Sequence, residues 1–183
     1  ISEFPIQKNE IDKEGVVVIY ERPDKNKEFG TYYASIDPVS EGKTTTSESL
    51  CSIYVYKNPV EVTRIKHGES ETFMEGDKIV ASWCGRFDDI RRTHERLEMI
   101  IEAYNAWTIV ENNVHLFIQY MINRKKQKFL VPKNQIIFLK DLGSNSNVFQ
   151  EYGWRNTGTL FSSNMLSYLI EFLQEEINVV TDE

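Results

Sequence analysis

A mixed α/β fold, a β-sheet with helices on its faces, is what this sequence predicts, and three observations carry the prediction. β-Branched and aromatic runs separated by turn signals fill residues 16–84. From residue 88 onward the apolar residues recur at helical spacing instead. Between two such helical stretches lies Ala106-Trp107-Thr108-Ile109-Val110, almost wholly apolar, as expected of a strand covered on both faces.

The elements follow in order. Residues 1–14 are polar and mixed, a linker or lead-in, and 15–183 make one domain. Val16-Val17-Val18-Ile19-Tyr20 is a short strand ended by the charged, proline-bearing loop 21–27. Thr31 to Ile36 is the next strand and runs straight into Asp37-Pro38. A Gly/Ser/Thr-rich loop, 39–49, joins it to Leu50–Tyr56 in a long hairpin, and Val60–Lys66 is a further strand. Residues 67–77 are polar and acidic and read as a solvent loop. Lys78–Cys84 is again a strand, stopped by Gly85-Arg86.

Asp88 to Tyr104 is helical, with Ile90, Leu97, Ile100, Ile101 and Tyr104 near one face, Asp88-Asp89 at its start and Asn105 at its end. After the strand 106–110 comes a second helix, whose apolar face is Val114, Phe117, Ile118, Met121 and Ile122. Phe129 to Leu139 reads as one interrupted strand or two short ones around Pro132, and 140–147 as a loop. Asn164 to Ile177 is a third amphipathic helix.

A chain of 183 residues can bury its own core. With 40% apolar and 27% charged residues it reads as soluble, with no membrane partner, because its apolar runs are too short to span a bilayer. No signal peptide opens it, and the start at Ile1 without Met suggests a piece of a longer protein. Cys51 and Cys84 lack the spacing of a structural zinc site and read as small buried residues. The net charge of −7 argues against wrapping nucleic acid by bulk electrostatics, but leaves room for a local basic patch.

Two acids occupy the same kind of position. Asp37 and Glu111 each follow an apolar strand, and sites in α/β sheets form outside strand ends. Two carboxylates converging there repel unless a cation or proton intervenes, and hard oxygen ligands suit Mg²⁺ or Mn²⁺. Taken singly, each has a plainer reading: Asp before Pro forms turns, and Glu before a helix caps or is solvated.

Four segments then resemble the nuclease domain of tailed-phage terminase large subunits, the motor proteins that cut viral DNA during packaging. Tyr33-Ala34-Ser35-Ile36-Asp37-Pro38-Val39-Ser40-Glu41-Gly42 resembles the first acidic motif of that family. Tyr104 to Asn113, an apolar strand ending in Glu111-Asn112-Asn113, resembles the second. Ala81 to Arg86 is similar to the strand before the long helix, and Tyr152-Gly153-Trp154-Arg155-Asn156-Thr157 to a downstream segment. The match runs in order over roughly residues 15–177.

The resemblance implies a ribonuclease H-like fold and a cytoplasmic endonuclease that cuts double-stranded DNA with two Mg²⁺ or Mn²⁺ ions. Asp37 and Glu111 would be catalytic metal ligands, with Glu48 or Glu41 as further candidates. It also implies an ATPase domain in the same full-length chain, with the portal protein and the small terminase subunit as partners. This sequence departs from the family at Thr44 to Ser49, where only Glu48 answers for an expected acid, and at its end, where Asp182 comes early for the last catalytic Asp. A non-catalytic docking module of the same fold, or another nuclease or transposase, is the alternative.

Arg124, Lys125, Lys126 and Lys128 form the densest basic cluster, either a DNA contact or a solvated helix end. Arg86, Arg91 and Arg92 form a second group. His115, near Glu111, is a packed or solvated residue, or else a metal ligand or proton-transfer group; His67 and His94 have less claim. Trp83, Trp107 and Trp154 read as core, with Trp154 in a turn that could expose it.

Overall fold

The computed structural model describes residues 14–24, 26–40, 42, 49–66, 69–135 and 151–154. Its strands are β1 (Val17–Ile19), β2 (Tyr32–Asp37), β3 (Cys51–Lys57), β4 (Val60–Lys66), β5 (Glu69–Glu75), β6 (Lys78–Gly85) and β7 (Trp107–Val110). Two α-helices, α1 (Ile90–Tyr104) and α2 (Leu116–Asn123), follow β6 and β7 respectively.

Five strands form one mixed sheet in the order β1-β6-β3-β2-β7. The first four are mutually antiparallel, and β7 joins parallel to β2. A parallel neighbour needs a crossover, and α1 supplies it between β6 and β7. Beyond β7, among the described residues, the sheet continues as isolated parallel bridges, Thr108 to Leu130 and Glu111 to Trp154. The expected strand over 129–139 is therefore, as far as the described residues reach, a bridge flanked by 3-10 turns at Gln127–Phe129 and Lys133–Gln135.

The period-two pattern decides which face is core. On β2, Tyr32, Ala34 and Ile36 are buried beside Ile53 and Val55 of β3, while Tyr33, Ser35 and Asp37 point the other way. Leu97, Ile101 and Tyr104 of α1, with Phe117, Ile118 and Met121 of α2, close over the buried face. The Tyr32 and Tyr104 rings meet edge to face, with centroids 5.3 Å apart. Helix α1 begins at Asp89, whose carboxylate accepts from the Arg91 amide, and ends at Asn105 in the left-handed conformation.

Residues 69–75 correct the sequence reading, which took 67–77 for a loop. They pair with β4 along its whole length as a two-stranded ribbon apart from the main sheet. Such a ribbon has no face to bury, so it can be built from charged and polar residues; the ladder, the Thr63–Thr72 hydroxyl contact and Arg64 over the Phe73 ring hold it. Buried Lys57 ties its base to the sheet, bonding Glu21 at 2.6 Å and Glu75 at 3.0 Å. The expected helix 164–177 and loop 140–147 lie outside the described residues.

Candidate active site

The parallel register of β2 and β7 sets Ile36 beside Val110, and the Glu111 amide donates to the Ile36 carbonyl at 2.9 Å. Asp37 and Glu111 are thus neighbours at the carboxyl ends of adjacent strands. The row continues across the sheet, Asp37 beside Ser52 and Ser52 beside Cys84. All four lie on the face opposite the two helices.

Adjacent strand ends bring the two carboxyls close enough to affect each other's charge. Burial, then the negative charge of Asp37, then a side-chain hydrogen bond with Asp37 together raise the Glu111 carboxyl above its ordinary value. Asn113 donates to the Glu111 carboxylate at 2.6 Å. Burial foremost, with the Asp37 charge behind it, pushes the Cys51 thiol up to about 12 and raises that of Cys84. Neither sulfur is a thiolate at neutral pH.

Close backbone approaches fix both strand ends. After β2 the chain turns so tightly against the start of α1 that a Cβ on Gly42 would sit 1.9 Å from the Asp88 carbonyl oxygen. Arg86, fully buried, pins that turn by donating to the carbonyls of Gly42 and Ser49. On the other side Gly153 has φ +68°, and a Cβ there would lie 2.3 Å from the Val110 oxygen. That approach lets the Trp154 amide donate to Val110 at 2.9 Å, while the buried Asn112 side chain donates to the Tyr152 carbonyl at 2.9 Å. Described parts of all four segments that carry the sequence resemblance therefore gather at one end of the sheet.

The remaining candidates divide. Glu41, Glu48, His67 and Asp182 lie outside the described residues. Among the described residues no third His, Cys, Asp or Glu completes a metal-binding group with the pair. His115 hydrogen-bonds the Asn112 side chain, behind the site. His94 is core: its ring packs on Phe117 and Tyr120, and burial lowers its pKa to about 4. Trp83 is core as well, whereas Trp107 and Trp154 are half-buried around Val131.

The basic cluster is split. Arg124 and Lys126 turn to α1 and bond Glu98 at 2.8 and 2.9 Å, and Lys126 also reaches Glu102. Lys125 and Lys128 instead line an open cavity. In the second group Arg86 is internal, Arg91 pairs with Asp89 at 2.8 Å, and Arg92 lies over the Phe87 ring.

The sequence reading passed over Arg86, Glu98, Asn112 and Asn113 in these roles. The Glu-Asn-Asn run was the available signal for the last two; the partners of Arg86 and Glu98 are too far away in sequence to leave one.

No protein-family model matches the chain, and no curated protein or solved structure does either. Two carboxylates from adjacent strands, one of them holding its proton more tightly because of burial and of the other acid, fit a hard divalent cation, which would relieve their repulsion. Among the described residues no helix is long and apolar enough to cross a membrane.

Proposed function

We propose that this chain is a metal-dependent endonuclease domain acting on double-stranded DNA, of the kind found in phage terminase large subunits, with a ribonuclease H-like fold. The observation that carries the reading is the juxtaposition of Asp37 and Glu111 at the ends of parallel β2 and β7. Further support comes from the meeting of the four resembling segments around that pair. The mixed sheet, hairpin strands first and a helical crossover to the parallel strand afterwards, accords with the fold.

In this reading Asp37 and Glu111 hold Mg²⁺ or Mn²⁺. The cation, when bound, supplies activation of water and stabilisation of the leaving oxygen in phosphodiester cleavage. The chain's own residues aim the donors. Asn113 orients the Glu111 carboxylate, Asn112 and Gly153 fix the end of β7, and Arg86 with Gly42 fixes the turn after Asp37. Further oxygen ligands, Glu41 and Glu48 among the candidates, complete the set, and an ATPase domain in the same polypeptide, the portal and the small subunit are the partners.

Calorimetric titration of the full chain with Mn²⁺, beside the Asp37→Asn variant, tests the reading. Binding by the parent that the variant loses, with plasmid cleavage following the same pattern, supports it. Equal or absent Mn²⁺ binding in both proteins overturns it and leaves a non-catalytic docking module of the same fold.

A further inference from the structure

An open cavity of about 390 Å³ lies beside the far end of β7, lined by Phe29, Trp107, Tyr152, Lys125, Lys128 and Gln135 among others. We infer that it takes an unpaired nucleotide of the DNA strand leading to the carboxylate pair, its base against Phe29, Trp107 and Tyr152 and its phosphate against Lys125 and Lys128. The inference rests on the nuclease reading for its choice of ligand.

Position is the first argument. Trp107, Ile109 and Glu111 alternate along β7 on one face, as Tyr33, Ser35 and Asp37 do along β2. The Tyr33 and Trp107 rings confirm the shared face, with centroids 5.9 Å apart. The cavity and the acids therefore sit on the same side of the sheet, separated by four residues of extended chain, roughly 13 Å. That is a distance a strand of two or three nucleotides spans.

Charge is the second. Of the four cations in the cluster, Arg124 and Lys126 are engaged by Glu98 and Glu102. Lys125 and Lys128 are exposed and have no carboxylate partner among the described residues, and both face the cavity. In a chain of net charge −7 this is a local concentration of uncompensated positive charge beside aromatic rings.

Backbone conformation is the third. Lys125 closes α2 at φ +58°, held by its amide donating to Ile122 at 2.9 Å and the Lys126 amide to Met121 at 2.8 Å. This left-handed conformation is where Gly or Asn ends most helices, so a lysine there is conformationally disfavoured. It turns the Lys125 ammonium away from the acids of α1 that take its two neighbours.

Aromatic faces decide between an unpaired base and a duplex. Phosphates of a duplex would use the lysines alone, whereas Phe29, 46% exposed and inclined at 51° to the Trp107 ring 6.0 Å away, offers an open ring face on which an unstacked base can lie.

Fluorescence anisotropy of a labelled oligothymidylate, with the full chain in EDTA so that no cleavage intervenes, tests this. Lys125→Gly with Lys128→Gln should weaken binding about tenfold and flatten its salt dependence. Lys125→Gly alone should melt no lower than the parent, since glycine suits the turn. Phe29→Ala should weaken the single strand severalfold and leave a duplex of the same length unaffected. Unchanged single-strand affinity in these variants, or an equal effect of Phe29→Ala on duplex and single strand, overturns the inference. If Asp37→Asn abolishes Mn²⁺ binding while the cavity variants bind like the parent, the inference falls and the nuclease reading stands. If the cavity variants lose affinity but the parent takes up no Mn²⁺, the nuclease reading falls and the strand site stands.

Discussion

Glu98 and Glu111 are two glutamates withdrawn from water on either side of the same domain, and their surroundings are opposite. Glu98, buried in α1, faces Tyr120, Arg124 and Lys126. Burial alone would raise its carboxyl, but those three partners outweigh burial and hold it below the ordinary glutamate range. Glu111 has Asp37 in place of a cation, and burial and that neighbouring acid act together to raise it. One glutamate is satisfied by the chain and joins α1 to the end of α2. The other faces a second acid and, among the described residues, no cation, an arrangement that the proposed metal ion would relieve. The Lys57 cluster, with Glu21 and Glu75 around one buried ammonium, belongs with Glu98.

Removing one acid of the unsatisfied pair breaks the comparison most sharply. Asp37→Asn should reduce Mn²⁺-dependent cleavage by more than about 10²-fold, since even the loss of a group that merely orients a ligand costs 10–100-fold. In the absence of metal the same variant should melt slightly above the parent, because a like-charge contact has gone. A plasmid nicking assay and a thermal melt in EDTA read the two effects.

The satisfied glutamate should respond in the reverse sense. Glu98→Gln removes the charge that Arg124 and Lys126 answer, but both cations retain access to water, so the loss should be about 1–2 kcal/mol rather than the full cost of an orphaned buried charge. Urea unfolding at neutral pH measures it, and cleavage per folded molecule should stay within about twofold of the parent, since Glu98 lies on α1, on the face of the sheet opposite the carboxylate pair.

Much of this contrast was legible in the sequence, though unevenly. Asp37 and Glu111 announced themselves by ending apolar strands, and a strand end is a local property. That they adjoin depends on β7 lying parallel to β2, which only the assembled sheet determines. Glu98 went unnoticed because an acid beside Leu97 on an amphipathic helix looks like its polar margin until α2 packs over it. Strand β5 was missed for another reason: unlike β4, with Val60 and Val62 in alternation, it carries only the adjacent Phe73 and Met74 among polar and acidic residues, so no period-two pattern arises. Gly42, Arg86 and Gly153 are fixed by backbone atoms distant in sequence, and no local pattern records such approaches.

Divalent cation should erase the difference between the two glutamates. At Mn²⁺ about ten times its Kd, linkage stabilises the folded chain by RT ln 11, about 1.4 kcal/mol, or roughly 4 °C in a domain of this size. Differential scanning fluorimetry should show that rise in the parent and in Glu98→Gln, and none in Asp37→Asn. A rise that survives in Asp37→Asn would mean that the cation binds elsewhere.

The smallest effect is the most diagnostic of sign. The folded-state pKa of Glu111 is raised, so the protonated form favours folding and the ionised form opposes it. Its penalty is absent below the unfolded value of 4.5 and complete once pH exceeds the folded pKa. Glu98 is lowered, so its contribution to stability is complete above 4.5 and is lost as pH falls through the folded pKa. In metal-free solution, then, Glu111→Gln should be more stable than the parent at pH 7, and the gain should vanish as the solution is brought below about pH 4.5. Glu98→Gln should be less stable at pH 7, and its deficit should shrink below the same pH. Two urea series across pH 3.5–7.5 compare them. Deviations of the same sign in both variants would show that neither burial nor Asp37 burdens Glu111 in solution, and the case for a cation at the end of β7 would lose its electrostatic ground.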